Sequence, residues 1–173
     1  MRKFSMAVVV LAACGGRSGN VADSAAVGVA SRTIADEPSA VIQVDRGAVL
    51  GIRLGMGSDS VKQLLGPPLR EGVDASDTLP TTVLEYPMGS IRIRRTGGVI
   101  EFLCGGDDCR TADGVGIGDS SDVLLGTYGP TPPRGPMDAP EALDYRLGQT
   151  DCNLTFTLAS GRVTSLALGC AVH

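Results

Sequence analysis

The chain has 173 residues with 15 basic and 19 acidic side chains, a formal net charge of −4. That length supplies one domain, or two very small ones, with a modest core. There is no Trp and there are only three Tyr and three Phe, so stacking platforms for bases or sugars are scarce. The acidic balance also weakens attraction to nucleic acid and anionic surfaces, and both facts argue against a nucleic-acid or carbohydrate binder.

The chain opens with Arg2 and Lys3, an apolar run from Met6 to Ala13, and then small residues. This is the n-region, h-region and small-residue end of a secretion signal. The run is too short to span a bilayer, which needs about 20 apolar residues. It closes on Leu11-Ala12-Ala13-Cys14, which resembles the lipobox of bacterial lipoproteins. The resemblance implies that residues 1–13 are removed and that the Cys14 thiol carries the lipid, with acyl chains such as palmitate holding the chain to the membrane. Gly15 stands where an inner-membrane retention signal would place Asp, which implies an outer-membrane address in a Gram-negative host. Loss of Arg2 and Lys3 leaves 13 basic against 19 acidic residues, or −6, so attachment is expected from lipid rather than from a basic face. Residues 14–40 are small and polar without periodicity and read as a flexible tether, with an end-to-end distance of about 28 Å.

From residue 41 the sequence says nearly the same thing twice. GMGSDSVKQLLGPP begins at Gly55 and GIGDSSDVLLGTYGP at Gly116. In the first, Ser58 is expected to cap a helix with Val61, Leu64 and Leu65 on one face, stopped by Gly66 and Pro67. In the second, Asp119 or Ser120 takes the cap, Val123, Leu124, Thr127 and Tyr128 form the face, and Gly129-Pro130 ends it. Helices of two turns need a sheet to pack on. Each is followed by three strand signals. Leu84-Glu85-Tyr86 matches Leu143-Asp144-Tyr145, the alternation of Ile91 to Arg94 matches that of Leu154 to Thr157, and glycine-containing turns at 96–99 and 160–163 lead to strands through Phe102 and Leu166. The expected fold class is therefore α+β, two tandem repeats, each a short helix and a three-stranded antiparallel meander: module 1 over residues 41–109 and module 2 over 110–173. Each module alone leaves an apolar sheet face, which two together can bury.

Setting Cys14 aside leaves Cys104, Cys109, Cys152 and Cys170, an even number suited to an exported chain. A hairpin turning at Ser160-Gly161 pairs residues whose numbers sum to about 321, and 152 + 170 is 322. Cys152 is thus expected with Cys170, leaving Cys104 with Cys109. The spacing does not suit zinc, and Asp107, Asp108 and Asp113 do not follow an EF-hand pattern, so no metal and no cofactor is expected. His173 is the only histidine, no phosphate loop or nucleophile–base pair is legible, and the chain is read as not an enzyme. Arg92 and Arg94, opposite Ile91 and Ile93 in the alternation, are expected on the exposed side of the sheet and, with Tyr86 and Tyr145, are the candidate protein-binding residues.

Over roughly residues 50–170, the G-M-G-S helix start, L-G-P-P stop, L-E-Y strand and G-x-V hairpin resemble small outer-membrane assembly lipoproteins of the SmpA/OmlA type, and the tandem repetition resembles the β-lactamase-inhibitor-protein fold. The resemblance implies a non-catalytic protein that offers a sheet face or loops to another protein. The resulting expectation is a membrane-anchored, disulfide-stapled cell-envelope lipoprotein with a protein partner and no nucleic-acid partner. The alternative is a small-ligand or ion binder using the inter-repeat groove or the acidic loop.

Overall fold

The computed structural model describes residues 40–76, 79–134 and 141–170. The signal segment, Cys14, the tether up to residue 39, and His173 lie outside the described residues.

Short-range sequence chemistry accounts for the two helices, α1 (Ser58–Leu65) and α2 (Ser121–Tyr128). Ser120 is the N-cap of α2, its hydroxyl accepting from the Val123 N–H. Gly57, not Ser58, occupies the cap position of α1 and offers no side-chain oxygen. Both helices stop at a glycine with positive φ, Gly66 at 81° and Gly129 at 87°, a conformation that costs a side-chain-bearing residue about 1–2 kcal/mol. Val61 and Leu124 are fully buried, each stabilising by about 1.5–3 kcal/mol relative to exposure. Leu64 and Val123, expected on the packed faces, instead point to solvent.

The described residues form nine strands: β1 (Val41–Ile42), β2 (Arg70–Asp74), β3 (Thr81–Tyr86), β4 (Gly89–Arg94), β5 (Gly98–Cys104), β6 (Pro133–Arg134), β7 (Glu141–Leu147), β8 (Cys152–Ala159) and β9 (Arg162–Cys170). They join one sheet in the order β1, β7, β8, β9, β5, β4, β3, β2, with β6 also pairing β7. This corrects the expectation of two helix-plus-three-stranded-meander modules. β5 and β9 pair directly, Phe102 opposite Leu168 and Cys104 opposite Leu166, so strands from both halves belong to one sheet. The sheet is mixed, because β1 runs parallel to β7. Strand β2 adds a fourth antiparallel member beside β3. The physical reason is edge satisfaction. A separate meander leaves two rows of unpaired N–H and C=O groups, and joining β5 to β9 removes one row from each half.

Register decides which side chains meet. At Ser160-Gly161 both residues have positive φ, 51° and 71°, as a type I′ hairpin turn requires. Ala159 faces Arg162 and Leu158 faces Val163, sums of 321; a bulge then places Thr157 opposite Ser165 and Cys152 opposite Cys170, sums of 322. That one extra residue brings the two cysteines directly across from each other, and they form a disulfide. Cys104 and Cys109 form the second.

One sheet face carries the core: Leu84, Ile91, Phe102, Leu168, Leu154 and Phe156 are all fully or almost fully buried beneath the helices. Tyr128, Tyr145 and Phe156 form an aromatic cluster with ring centroids 5.3–5.9 Å apart. Arg46 lies over the Tyr128 ring at 5.2 Å while its Nε contacts Asp113 at 2.8 Å. No helix among the described residues is long and apolar enough to cross a membrane.

Candidate functional site: the uncovered sheet face

Pleating sends alternate side chains of every strand away from the core. On β4 these are Ser90, Arg92 and Arg94; on β5, Glu101 and Leu103; on β8 and β9, Thr155, Thr157, Ser165 and Ala167, paired across strands in the observed register. All of these are partly or well exposed, so no described helix covers this part of the sheet.

Arg92 is at the centre of a charge cluster. Its Nη2 is 3.0 Å from Asp74 on β2 and its Nε is 3.6 Å from Glu101, its direct cross-strand neighbour. Asp74 is held below the usual carboxylate range, chiefly by hydrogen bonds from the Ser76 hydroxyl and N–H and then by Arg92. Arg94 differs: its Nε is buried without a hydrogen-bond partner among the described residues.

Tyr86 and Tyr145 do not belong to this surface. The expectation that they join Arg92 and Arg94 is corrected, because Tyr86 is 6 % and Tyr145 0 % exposed. Each sits on the core side and donates its hydroxyl proton to the carbonyl of the glycine that ends the preceding helix: Tyr86 to Gly66 at 3.1 Å, Tyr145 to Gly129 at 3.0 Å. A helix end leaves its last carbonyls without intrahelical partners, so these tyrosines fasten each helix to the sheet. The recurrence of L-x-Y after each glycine stop thus has a structural cause.

Leu103 joins the open face although it is not among the candidate residues named from the sequence. It is 45 % exposed at the middle of the open face, beside a shallow trough of about 740 Å³ lined by Ser90, Thr157, Ser165, Ala167 and Glu85. The alternation Glu101-Phe102-Leu103-Cys104 contained the signal, since Phe102 facing inward obliges Leu103 to face outward. The small residues around it lie on β9 and β8, distant in sequence, and are its neighbours only because β5 pairs β9.

A second concavity of about 690 Å³ lies beside the start of α1, lined among others by Ser58, Lys62, Glu71, Arg94 and Arg95. Glu71 is engaged by Lys62 at 2.8 Å, whereas neither arginine pairs with a carboxylate among the described residues. The acidic loop does not converge on a common point, because Asp113 is taken by Arg46; among the described residues no three His, Cys, Asp or Glu groups gather as for a metal ion.

No family model and no curated protein matches the chain. Among solved structures, the chain is similar to a DUF4309 family protein, YjgB, from Bacillus subtilis subsp. subtilis str. 168, with 14 % identity, a TM-score of 0.39, and coverage of 66 % of this chain and 78 % of that one.

Proposed function

We propose that this chain is a lipid-anchored, non-catalytic cell-envelope protein that binds another protein through its uncovered sheet face. Cys14 would carry the anchor and residues 15–40 the tether. Two disulfides agree with an oxidising, exported setting. The observation that carries the reading is Leu103, a large apolar side chain set among Ser90, Thr157, Ser165 and Ala167 on an open face. Such a site suits a partner that places an apolar side chain in the trough and hydrogen-bonds the hydroxyls around it. A photo-crosslinking residue at position 103, in the full chain in native envelopes, is expected to capture a discrete protein. The same residue at Gln63, exposed on α1, is expected not to. Capture that is equal at both sites, or absent at 103, refutes the reading.

A second reading, small-ligand binding, rests on the concavity beside Arg94 and Arg95, whose guanidinium groups pair with no carboxylate among the described residues and suit an anion. Inorganic phosphate is expected to raise Tm under this reading, and an unchanged Tm across millimolar phosphate eliminates it for phosphate-like ligands.

A further inference from the structure

Strand β2 pairs with β3 and forms one end of the strand order. At the other end, both β1 and β6 pair with β7. Every second residue of β2 therefore directs its N–H and C=O away from the sheet, over five residues. Among the described residues nothing pairs with this edge; Pro68 and Pro80 flank β2 without interrupting it, and the charges that would keep an unrelated strand away, Arg70, Glu71 and Asp74, include one basic and one acidic residue placed symmetrically about Gly72. Leu69 and Val73 on this edge are 74 % and 70 % exposed.

We infer that β2 is a homodimer edge, pairing antiparallel with β2 of a second copy about a two-fold axis through Gly72, so that the two sheets continue into one. The inference goes beyond the proposed function and does not depend on it. The occupant follows from the charge order of Arg70-Glu71-Gly72-Val73-Asp74. A two-fold antiparallel pairing must place one residue opposite its own copy, because the pleat and the hydrogen-bond alternation must match on both sides. Centring on Glu71 sets two carboxylates face to face. Centring on Val73 sets Arg70 opposite the uncharged Ser76 and Asp74 opposite Gly72. Centring on Gly72 sets Arg70 opposite Asp74 of the second copy, twice, joining the Arg70–Glu85 and Asp74–Arg92 pairs within each copy into one network of alternating charge, with Glu71 opposite Val73. In this register Leu69 is diagonal to Val73 of the second copy, so the exposed apolar groups adjoin. The axis is perpendicular to the sheet, so both open faces lie on the same side and both Leu103 troughs stay accessible.

Disulfide trapping in cells expressing the full chain tests both the dimer and its register. A β-carbon built on Gly72 meets nothing within 4 Å, so Gly72→Cys is tolerated in the monomer. Residues directly opposite across an antiparallel pair lie within the span a disulfide can bridge, and those displaced by two positions do not. Gly72→Cys is expected to shift the larger part of the chain to twice its mass on mild oxidation. Glu71→Cys and Val73→Cys, each expressed alone, are expected to remain monomeric but to cross-link when co-expressed. Cross-linking of equal extent at 71, 72 and 73 shows random collision and overturns the proposal, as does no cross-linking at 72. Capture at position 103 is unaffected by either result, so the two proposals fail separately.

Discussion

All three tyrosines of the chain are buried, and alkaline titration turns that into a stability measurement. Burial pushes the Tyr128 hydroxyl up to about 12, with Asp113 adding to the rise and the hydrogen bond to Thr111 opposing it. Burial alone pushes Tyr145 up to about 12, and Tyr86 moves in the same direction, chiefly through burial. In the unfolded chain all three titrate near 10. A raised folded pKa on a group that is neutral when protonated means that its stabilising contribution is complete below pH 10 and is lost as pH rises from 10 towards 12. At pH 11, Tyr128 and Tyr145 together cost about 2.7 kcal/mol, about 1.4 kcal/mol each, a large share of the total stability of a small domain. The assay is a urea series between pH 8 and 11.5, followed by circular dichroism and by tyrosinate absorbance. The unfolding midpoint is expected to fall only above pH 10, with tyrosinate appearing together with loss of structure. Tyr145→Phe should be less stable at neutral pH by about 1 kcal/mol, having lost the bond to Gly129, but should show roughly half the alkaline decline. Tyrosinate formation near pH 10 in a chain that keeps its folded circular dichroism would refute the reasoning.

Other expectations follow from the same structure. Replacing both Cys152 and Cys170 with Ala opens a sequence separation of 18, against 5 for Cys104 and Cys109. Chain-entropy arithmetic makes the losses about 3 and about 2 kcal/mol, so denaturant midpoints should rank the first pair as the more costly. Gly89→Ala drives a β-carbon into the Leu103 carbonyl across the β4–β5 pair and should cost at least about 3 kcal/mol. Gly126→Ala, at an exposed site in α2 where the added carbon meets nothing within 4 Å, should stabilise by up to about 1 kcal/mol. Thermal melts of the two glycine variants should therefore move in opposite directions.

Local chemistry in the sequence was enough to locate several parts of the fold. The glycine stops at Gly66 and Gly129, the turn at Ser160-Gly161 and the alternation of β4 and β8 all depend on φ preferences and a two-residue period that neighbouring residues enforce. Hairpin arithmetic reached the Cys152–Cys170 pair to within one residue because strands joined by a tight turn take their register from it, and the bulge between Thr157 and Leu158 supplies the remaining step. Strand β2 was missed because its run Arg70-Glu71-Gly72-Val73-Asp74 has no apolar alternation, as befits a strand exposed at an edge. That Tyr86 and Tyr145 face the core and Leu103 the open side is a matter of which sheet face the helices cover, which no local pattern states.

The sequence by itself determined where this chain turns, where its helices end, and which cysteines meet. Only the tertiary structure decided that β5 joins β9, that the tyrosines reach back to the helix-ending carbonyls, and that Leu103 stands uncovered among residues 54 to 64 positions further along the chain. The physical reason is range. Backbone preference and pleat act over a few residues, whereas satisfying a free strand edge and covering an apolar face are settled between segments whose separation leaves no periodic trace.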